Sequence, residues 1–272
     1  MYQFHTMRHR LPDSSPALRS YVIPAQSLLL DEELAPNFLS LHSALRRVSE
    51  ELKENATQVL LVVSAGWVTP DVFSVGACAQ YAGVLEEKFI GMMPYNYRGS
   101  PQLAQLLVER GADASLPVQL VADRCELDAS TVVALHALQL SAEMEVVPLS
   151  ICPLSLRDSY RWGRVLAETA SSWGKHVVLL AVGGLSGRLD HREITAVSPE
   201  GQQHDEQVLR VLESRAWSDL LNIDPLLSAR AQPAGGMHHL AVLSGFAQQA
   251  REVQVLSYQG IIGTGNAVVR CV

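Results

Sequence analysis

At 272 residues and 48% hydrophobic side chains, the chain is long enough to bury a sizeable core as one large domain or two small ones. A formal net charge of -7 with scattered basic residues excludes the basic stripe of a nucleic-acid binder, and no apolar run approaches membrane-spanning length. Cys78, Cys125, Cys152 and Cys271 lie far apart with no CxxC pair, which predicts neither a zinc ribbon nor a disulfide framework and fits a reduced cytoplasmic protein.

Residues 1–18 are polar, rich in Ser, Pro and His, and read as a flexible extension; 19–272 read as a single domain. Tyr21-Val22-Ile23 is a short strand ended by Pro24. Asn37 is placed to cap a helix whose Leu41, Leu45, Val48 and Leu52 recur at helical spacing. Val59–Val63 is a fully buried strand that ends in a small-residue turn, Ser64-Ala65-Gly66-Trp67. No regular pattern follows until Pro101, which opens a helix running to Arg110 and closed by Gly111. Val118–Val121 reads as a strand, Ser130–Leu140 as a helix, and Glu145–Ser150 as a strand whose Pro148 suggests an edge or a bulge. The longest helix spans Ser155–Trp173, with Gly174 behind it. It feeds the apolar run Val177–Val182, which ends in Gly183-Gly184-Leu185-Ser186-Gly187-Arg188. A polar loop is expected over Ser198–Asp205, then helices over Glu206–Leu221 and Gly236–Gln249. Two closing strands, Val253–Tyr258 and Ala267–Arg270, are joined through Gly263-Thr264-Gly265-Asn266. Strands alternating with helices predict an α/β fold: a mixed, mostly buried sheet with helices on both faces.

Glycine turns at strand carboxyl ends are where such sheets place binding sites, yet the 183–188 turn carries no acid-base or metal-binding side chain. Ser186 and Arg188 are its only polar side chains and the two candidates for a ligand or inter-subunit contact; Gly-Gly-Leu-Ser-Gly is not the G-x-S-x-G of a nucleophile elbow. Nine histidines invite a metal hypothesis. His238 and His239 are adjacent, so a helix points them about 100° apart. His191 and His204 fall in polar loops, His136 on an apolar helix face, and His5 and His9 in the terminal extension. Asp123, Glu126 and Asp128 read as a solvated loop.

Five motifs in order are Ser64-Ala65-Gly66-Trp67, Met93–Gly99, Leu127-Asp128-Ala129-Ser130, Val146–Ser150 and Gly183–Gly187. In order and spacing they resemble the class III extradiol ring-cleavage dioxygenases over nearly the whole chain beyond the extension. That family opens catechols and aminophenols with one non-haem Fe(II) held by two histidines and a glutamate. The resemblance implies that every functional position is vacated here. The first ligand histidine falls at about Leu28, and the second, in a Ser-Ala-His-Trp pattern, is Gly66. The pocket histidine of a Leu-Asp-His-Gly pattern is Ala129, and the base after Gly-Leu-Ser is Gly187. The glutamate, just after a glycine pair, falls at Met237 or His238. Such side chains cannot supply the imidazole and carboxylate donors ferrous iron needs. The expectation is a chain without catalytic or metal-binding residues, binding no cofactor itself. It would resemble the family's non-catalytic α subunits, partnered in an α2β2 heterotetramer by a homologous subunit that carries the Fe(II). The alternatives are a stand-alone binding protein that takes a small aromatic into the emptied pocket, and an enzyme with a metal site rebuilt from histidines such as His191 and His238.

Overall fold

Val177–Val182 is buried at all six positions in the computed structural model, which describes residues 18–88, 90–140, 143–188 and 197–272. A strand hides consecutive apolar side chains only when both of its faces are covered, because successive residues point to opposite sides. The elements are β1 (Arg19–Ile23), α1 (Leu39–Glu54), β2 (Val59–Val68), β3 (Phe73–Gly76), β4 (Gln80–Glu87), β5 (Gly91–Gly99), α2 (Pro101–Asp113), β6 (Val118–Val121), α3 (Ala129–Ala137), β7 (Glu145–Ile151), α4 (Leu156–Ser172), β8 (Val177–Val182), α5 (Pro199–Glu213), α6 (Pro225–Ala231), α7 (His238–Phe246), β9 (Val253–Ile261) and β10 (Thr264–Cys271). Among the described residues these strands form one mixed sheet in the order β4-β5-β7-β2-β8-β1-β10-β9, with β3 pairing β6 and β7 beside it. The central strands β7, β2, β8 and β1 run parallel, so their carboxyl ends meet on one side. Except for Leu18, the predicted extension lies outside the described residues.

The two-residue period divides the core. Val59, Leu61 and Val63 of β2 face a cluster shared with α2, α4, α5 and α7, while Leu60 and Val62 face the side covered by α1 and α3. Helices α4 and α7 lie nearly backbone to backbone. A Cβ on Gly163 would collide with the Val242 carbonyl, and one on Gly245 with that of Tyr160.

Several local expectations are corrected. Asn37 caps nothing by its side chain; α1 starts at Leu39 without a side-chain cap. The stretch from Ser64 to Trp67 is not a turn but the continuation of β2, which runs to Val68. The irregular middle contains the short, buried β3 and the strands β4 and β5, whose half-buried, tyrosine-bearing alternation is weaker than a buried apolar run. Gly111 does not close α2 but lies within it, where a Cβ would press on Val118 and Trp162. Pro148 is internal. On the side away from β2, β7 pairs β5 at Glu145 and Val146, before the proline, and β3 at Leu149, after it, so the residue with no N–H to donate falls where the neighbour changes. The predicted loop Ser198–Asp205 is the first half of α5, with Ser198 as its N-cap and Pro199 in the first turn. Residues 225–231 form a helix that went unpredicted, and β10 already begins at Thr264.

The cysteine expectation is also corrected. Cys78 and Cys125 form a disulfide across 47 residues, while Cys152 and Cys271 are free and buried. Sequence spacing carried no sign of it because a bridge needs only two Cα atoms about 5.5 Å apart, which the pairing of β3 with β6 provides. No helix of the described residues is long and apolar enough to cross a membrane.

Candidate functional site

A depression of about 250 Å³ opens at the carboxyl ends of β1, β2 and β8, the place where open α/β sheets bind ligands. Its walls are Ala25 and Gln26 after β1, Ala65 and Gly66 of β2, Ser130 of α3, the Gly183–Gly184 turn, Ala234 and Gly235 before α7, and Thr264 and Asn266 of β10. Gly235 and Gly236 have φ of +51° and +57°, a left-handed pair that glycine adopts without strain.

Gly66 and the first turn of α3 are locked together. Asp128 caps α3, accepting from Thr131 N at 3.2 Å and Thr131 Oγ1 at 2.6 Å, and it also accepts from Ser64 Oγ at 2.7 Å. It is therefore a structural cap rather than part of a solvated cluster. A Cβ on Gly66 would lie 2.5 Å from Ser130 Oγ and 2.6 Å from Asp128 Oδ1. Arg124 stacks over Trp67 at 5.5 Å, and with the Cys78–Cys125 bridge it pins the loop that leads into α3.

The second knot holds the glycine turn. Asp205, fully buried, accepts from Ser186 N at 2.8 Å, Ser186 Oγ at 2.7 Å and Tyr258 OH at 2.8 Å, and His204 Nδ1 lies 3.1 Å away. Burial, reinforced by Asp205, pushes the Tyr258 phenol well above its ordinary pKa. Ser186 is thus corrected as a ligand contact, since its hydroxyl is buried and committed to Asp205. His204 is corrected from a polar loop to a fully buried helical position, its Nε2 3.3 Å from Met237 Sδ. Asp205 gives no sign of its role in the sequence because it falls in the stretch expected as a loop, and Tyr258, on β9, meets it only in the fold. Ser198-Pro199-Glu200, an N-cap followed by proline and an acid in the first turn, was the available signal.

Of the other candidates, Gly66 lines the depression, and exposed Ala129 sits next to Ser130, which does. Leu28 and Met237 do not line it. Leu28 packs into the core with α1, and Met237 is buried beneath α7, so Gln26 and Gly235 hold the corresponding rim. Gly187 bridges to Thr264, and a Cβ there would stand 2.7 Å from the Gln232 carbonyl. Arg188 pairs with Glu200 at 3.6 Å. His191 lies outside the described residues.

Below the turn, Gly183 leaves room for His239, whose Nε2 would be 2.9 Å from a Cβ at that position. Neither ring nitrogen of His239 makes a well-aligned hydrogen bond, although the Gly184 backbone lies near enough to favour its proton slightly. Burial, with His238 adding to it, lowers the His239 pKa to about 3. His238 donates to or accepts from Ser159 Oγ at 2.8 Å, and burial lowers its pKa too. An unfolded histidine titrates near 6.5, so below that pH the unfolded chain binds protons that folded His239 refuses. Stability is fully present above about pH 6.5 and falls on acidification, by up to roughly 1.4 kcal/mol per pH unit for this residue. Urea unfolding of the wild type and His239→Leu between pH 7 and 4 checks this; equal slopes would show that another group carries the acid sensitivity.

The described lining of this depression does not fit iron. Fe(II) sites of the facial type need two imidazoles and a carboxylate, whereas the lining offers amides, hydroxyls and backbone. Among the described residues no three His, Cys, Asp or Glu side chains converge as a metal site.

Fold and site together define an α/β domain of the extradiol-dioxygenase type. The chain belongs to the family described as the catalytic LigB subunit of aromatic ring-opening dioxygenase, which matches residues 24–270. It is 25% identical over 276 aligned residues to the 2-aminophenol 1,6-dioxygenase alpha subunit of Pseudomonas sp, covering 92% of this chain and 97% of that protein. It is 23% identical over 215 residues to 3,4-dihydroxyphenylacetate 2,3-dioxygenase of Escherichia coli, covering 74% and 77%. An uncharacterized protein of Escherichia coli K12 shares the fold at a TM-score of 0.71 and 18% identity, over 93% of this chain and 99% of that one.

Proposed function

We propose that this chain is an iron-free, non-catalytic subunit of an aromatic ring-opening dioxygenase, and that it stabilises a homologous Fe(II)-bearing subunit in an α2β2 assembly. The observation that carries the reading is the state of the two glycine positions. At Gly66 and Gly187 even the first side-chain atom of a histidine would press on Ser130 and Asp128, or on the Gln232 carbonyl. Neither position carries a donor, and a side chain at either would need its neighbours to shift. The likeness to a protein named an alpha subunit supports a subunit role, and the family's ring-opening chemistry supports a 2-aminophenol- or catechol-type substrate for the assembly.

What the chain's own residues do is hold shape. Asp128 fixes α3 to β2, Asp205 fixes the 183–188 turn to α5 and β9, and together they keep rigid the sheet end that faces solvent. The test is to express the homologous catalytic subunit with and without this chain, measuring iron per chain, activity and assembly mass. A stable complex with all iron in the partner is expected. Full solubility and activity of the partner alone, or stoichiometric iron in this chain, would refute the proposal.

A second reading rests on the depression itself. At about 250 Å³ it is below the usual range of roughly 300–1,000 Å³ for drug-sized ligands, and its polar groups, Gln26, Ser130, Thr264 and Asn266, are uncharged. A single aromatic ring with hydroxyl or amino substituents matches that size and polarity, and a thermal shift with catechol or 2-aminophenol in excess chelator reads its binding. We also place the chain in the cytoplasm beside its partner. Reducing compartments seldom keep a bond such as Cys78–Cys125, and thiol alkylation in intact cells reads which state is populated there.

A further inference from the structure

The sheet ends differently on its two sides. Edge strand β9 packs against α1 and α5, whereas β4 has strong contacts with β5 alone. The β4–β5 hairpin projects past the sheet, since β5 reaches β7 only through Arg98 and Gly99. Its inner face is anchored by Tyr81, Met93, Tyr95 and Tyr97 in the core. The outer face should be polar in a solvated ribbon, yet Ala82, Val84, Met92 and Pro94 are exposed side by side on it, with Val84 at 54% and Met92 at 66%. Native edge strands are usually shortened, bulged or charged to prevent pairing. Here β4 and β5 are paired without a register shift from Gln80–Arg98 to Glu87–Gly91.

We propose that β4 is an interface with a second copy of this chain, pairing antiparallel to β4 of that copy about a two-fold axis at Gly83. Two constraints select this register. A two-fold that keeps both exposed faces on the same side must pair residues of equal parity, because a shift by one would turn each outer side chain inward. Of the two such registers that overlap the strands most fully, the one centred on Val84 would set Glu86 against the methyl of Ala82. The one centred on Gly83 sets Val84 against Ala82 of the second copy. It also sets Glu86 against Gln80 of that copy, in the cross-strand row that ends in its Arg98. Apolar then meets apolar, and the carboxylate enters a row that holds a guanidinium. The patch from Met92 and Pro94 through Val84 and Ala82 becomes continuous across the axis. This isologous contact closes on itself, as a two-fold interface must, and satisfies the open ladder of both edges.

The full-length chain without any partner tests this by sedimentation and light scattering at micromolar concentration. A dimer is expected, and Val84→Glu, which places a like charge close to the axis on an exposed site, should weaken it by roughly tenfold or more while leaving the far-UV circular dichroism of the folded chain unchanged. Mixing an Ala82→Cys chain with a Val84→Cys chain under mild oxidant should give a cross-linked pair, while Leu120→Cys, exposed elsewhere, should give none with either. A monomer, a dimer indifferent to Val84→Glu, or a hairpin that engages only the catalytic subunit would each overturn the proposal. None of these outcomes depends on whether the chain binds iron, so the functional reading and this interface fail separately.

Discussion

Replacing Asp205 with alanine is expected to remove roughly 3–5 kcal/mol of stability, the range for deleting one partner of a buried, hydrogen-bonded charged group. The side chain is wholly buried and gathers the Ser186 amide and hydroxyl, the Tyr258 hydroxyl and the His204 ring. Alanine leaves these donors without the carboxyl acceptor and opens a small polar cavity in its place. A further observation shows how tightly the group is enclosed: a Cβ on Gly265 would collide with Asp205 Oδ2. For a chain of this size the loss corresponds to a fall in Tm of about 10 °C. Asp219→Ala, exposed at the start of a 3-10 turn, should change stability by no more than about 0.5 kcal/mol. Urea unfolding of both variants decides the matter. A loss under about 1 kcal/mol for Asp205→Ala would mean that the turn is held by its backbone bonds to Ala231 and Gly265 instead.

Restoring histidine at Gly66 and Gly187 is expected to fail as a route back to iron chemistry. Each substitution should cost about 1–3 kcal/mol, because extra atoms in a filled site force neighbours to move. At Gly66 the neighbours are the Ser130 hydroxyl and the Asp128 cap; at Gly187 the obstacle is main chain, the Gln232 carbonyl at 2.7 Å, which cannot rotate away. Gly187→His should therefore be the more damaging of the two. The double variant, purified with excess Fe(II) and desalted, should retain substoichiometric iron and consume no O2 with 2-aminophenol. One tightly bound iron per chain would show that the pocket remains a latent metal site and would remove the main support for an accessory role.

The Cys78–Cys125 bridge and the two knots share a consequence. They fasten loops around the depression to the sheet from both sides, α3 through Asp128 and the bridge, and the glycine turn through Asp205. Rigidity there suits a surface that another subunit reads.

Much was legible from residues alone. The buried runs of β2 and β8, the periodicity of α1, the Ser155 start of α4 and the glycine turn after Val182 are local patterns, set by side-chain alternation and capping over a few neighbours. The motif order placed the chain in its family, and that Gly66, Ala129 and Gly187 carry no imidazole is a property of the sequence. What only the tertiary structure decided depends on residues far apart in the chain. The hairpin β4–β5 is half-exposed, so its alternation gave no strong signal; Pro148 sits inside the sheet because its neighbour changes from β5 to β3 there; and Ser186 is buried because α5 brings Asp205 beneath it. Likewise, a glycine can be read from sequence, but that a Cβ there would press on Ser130, Asp128 or the Gln232 carbonyl cannot. Excluded volume is a relation among atoms that only folding brings together.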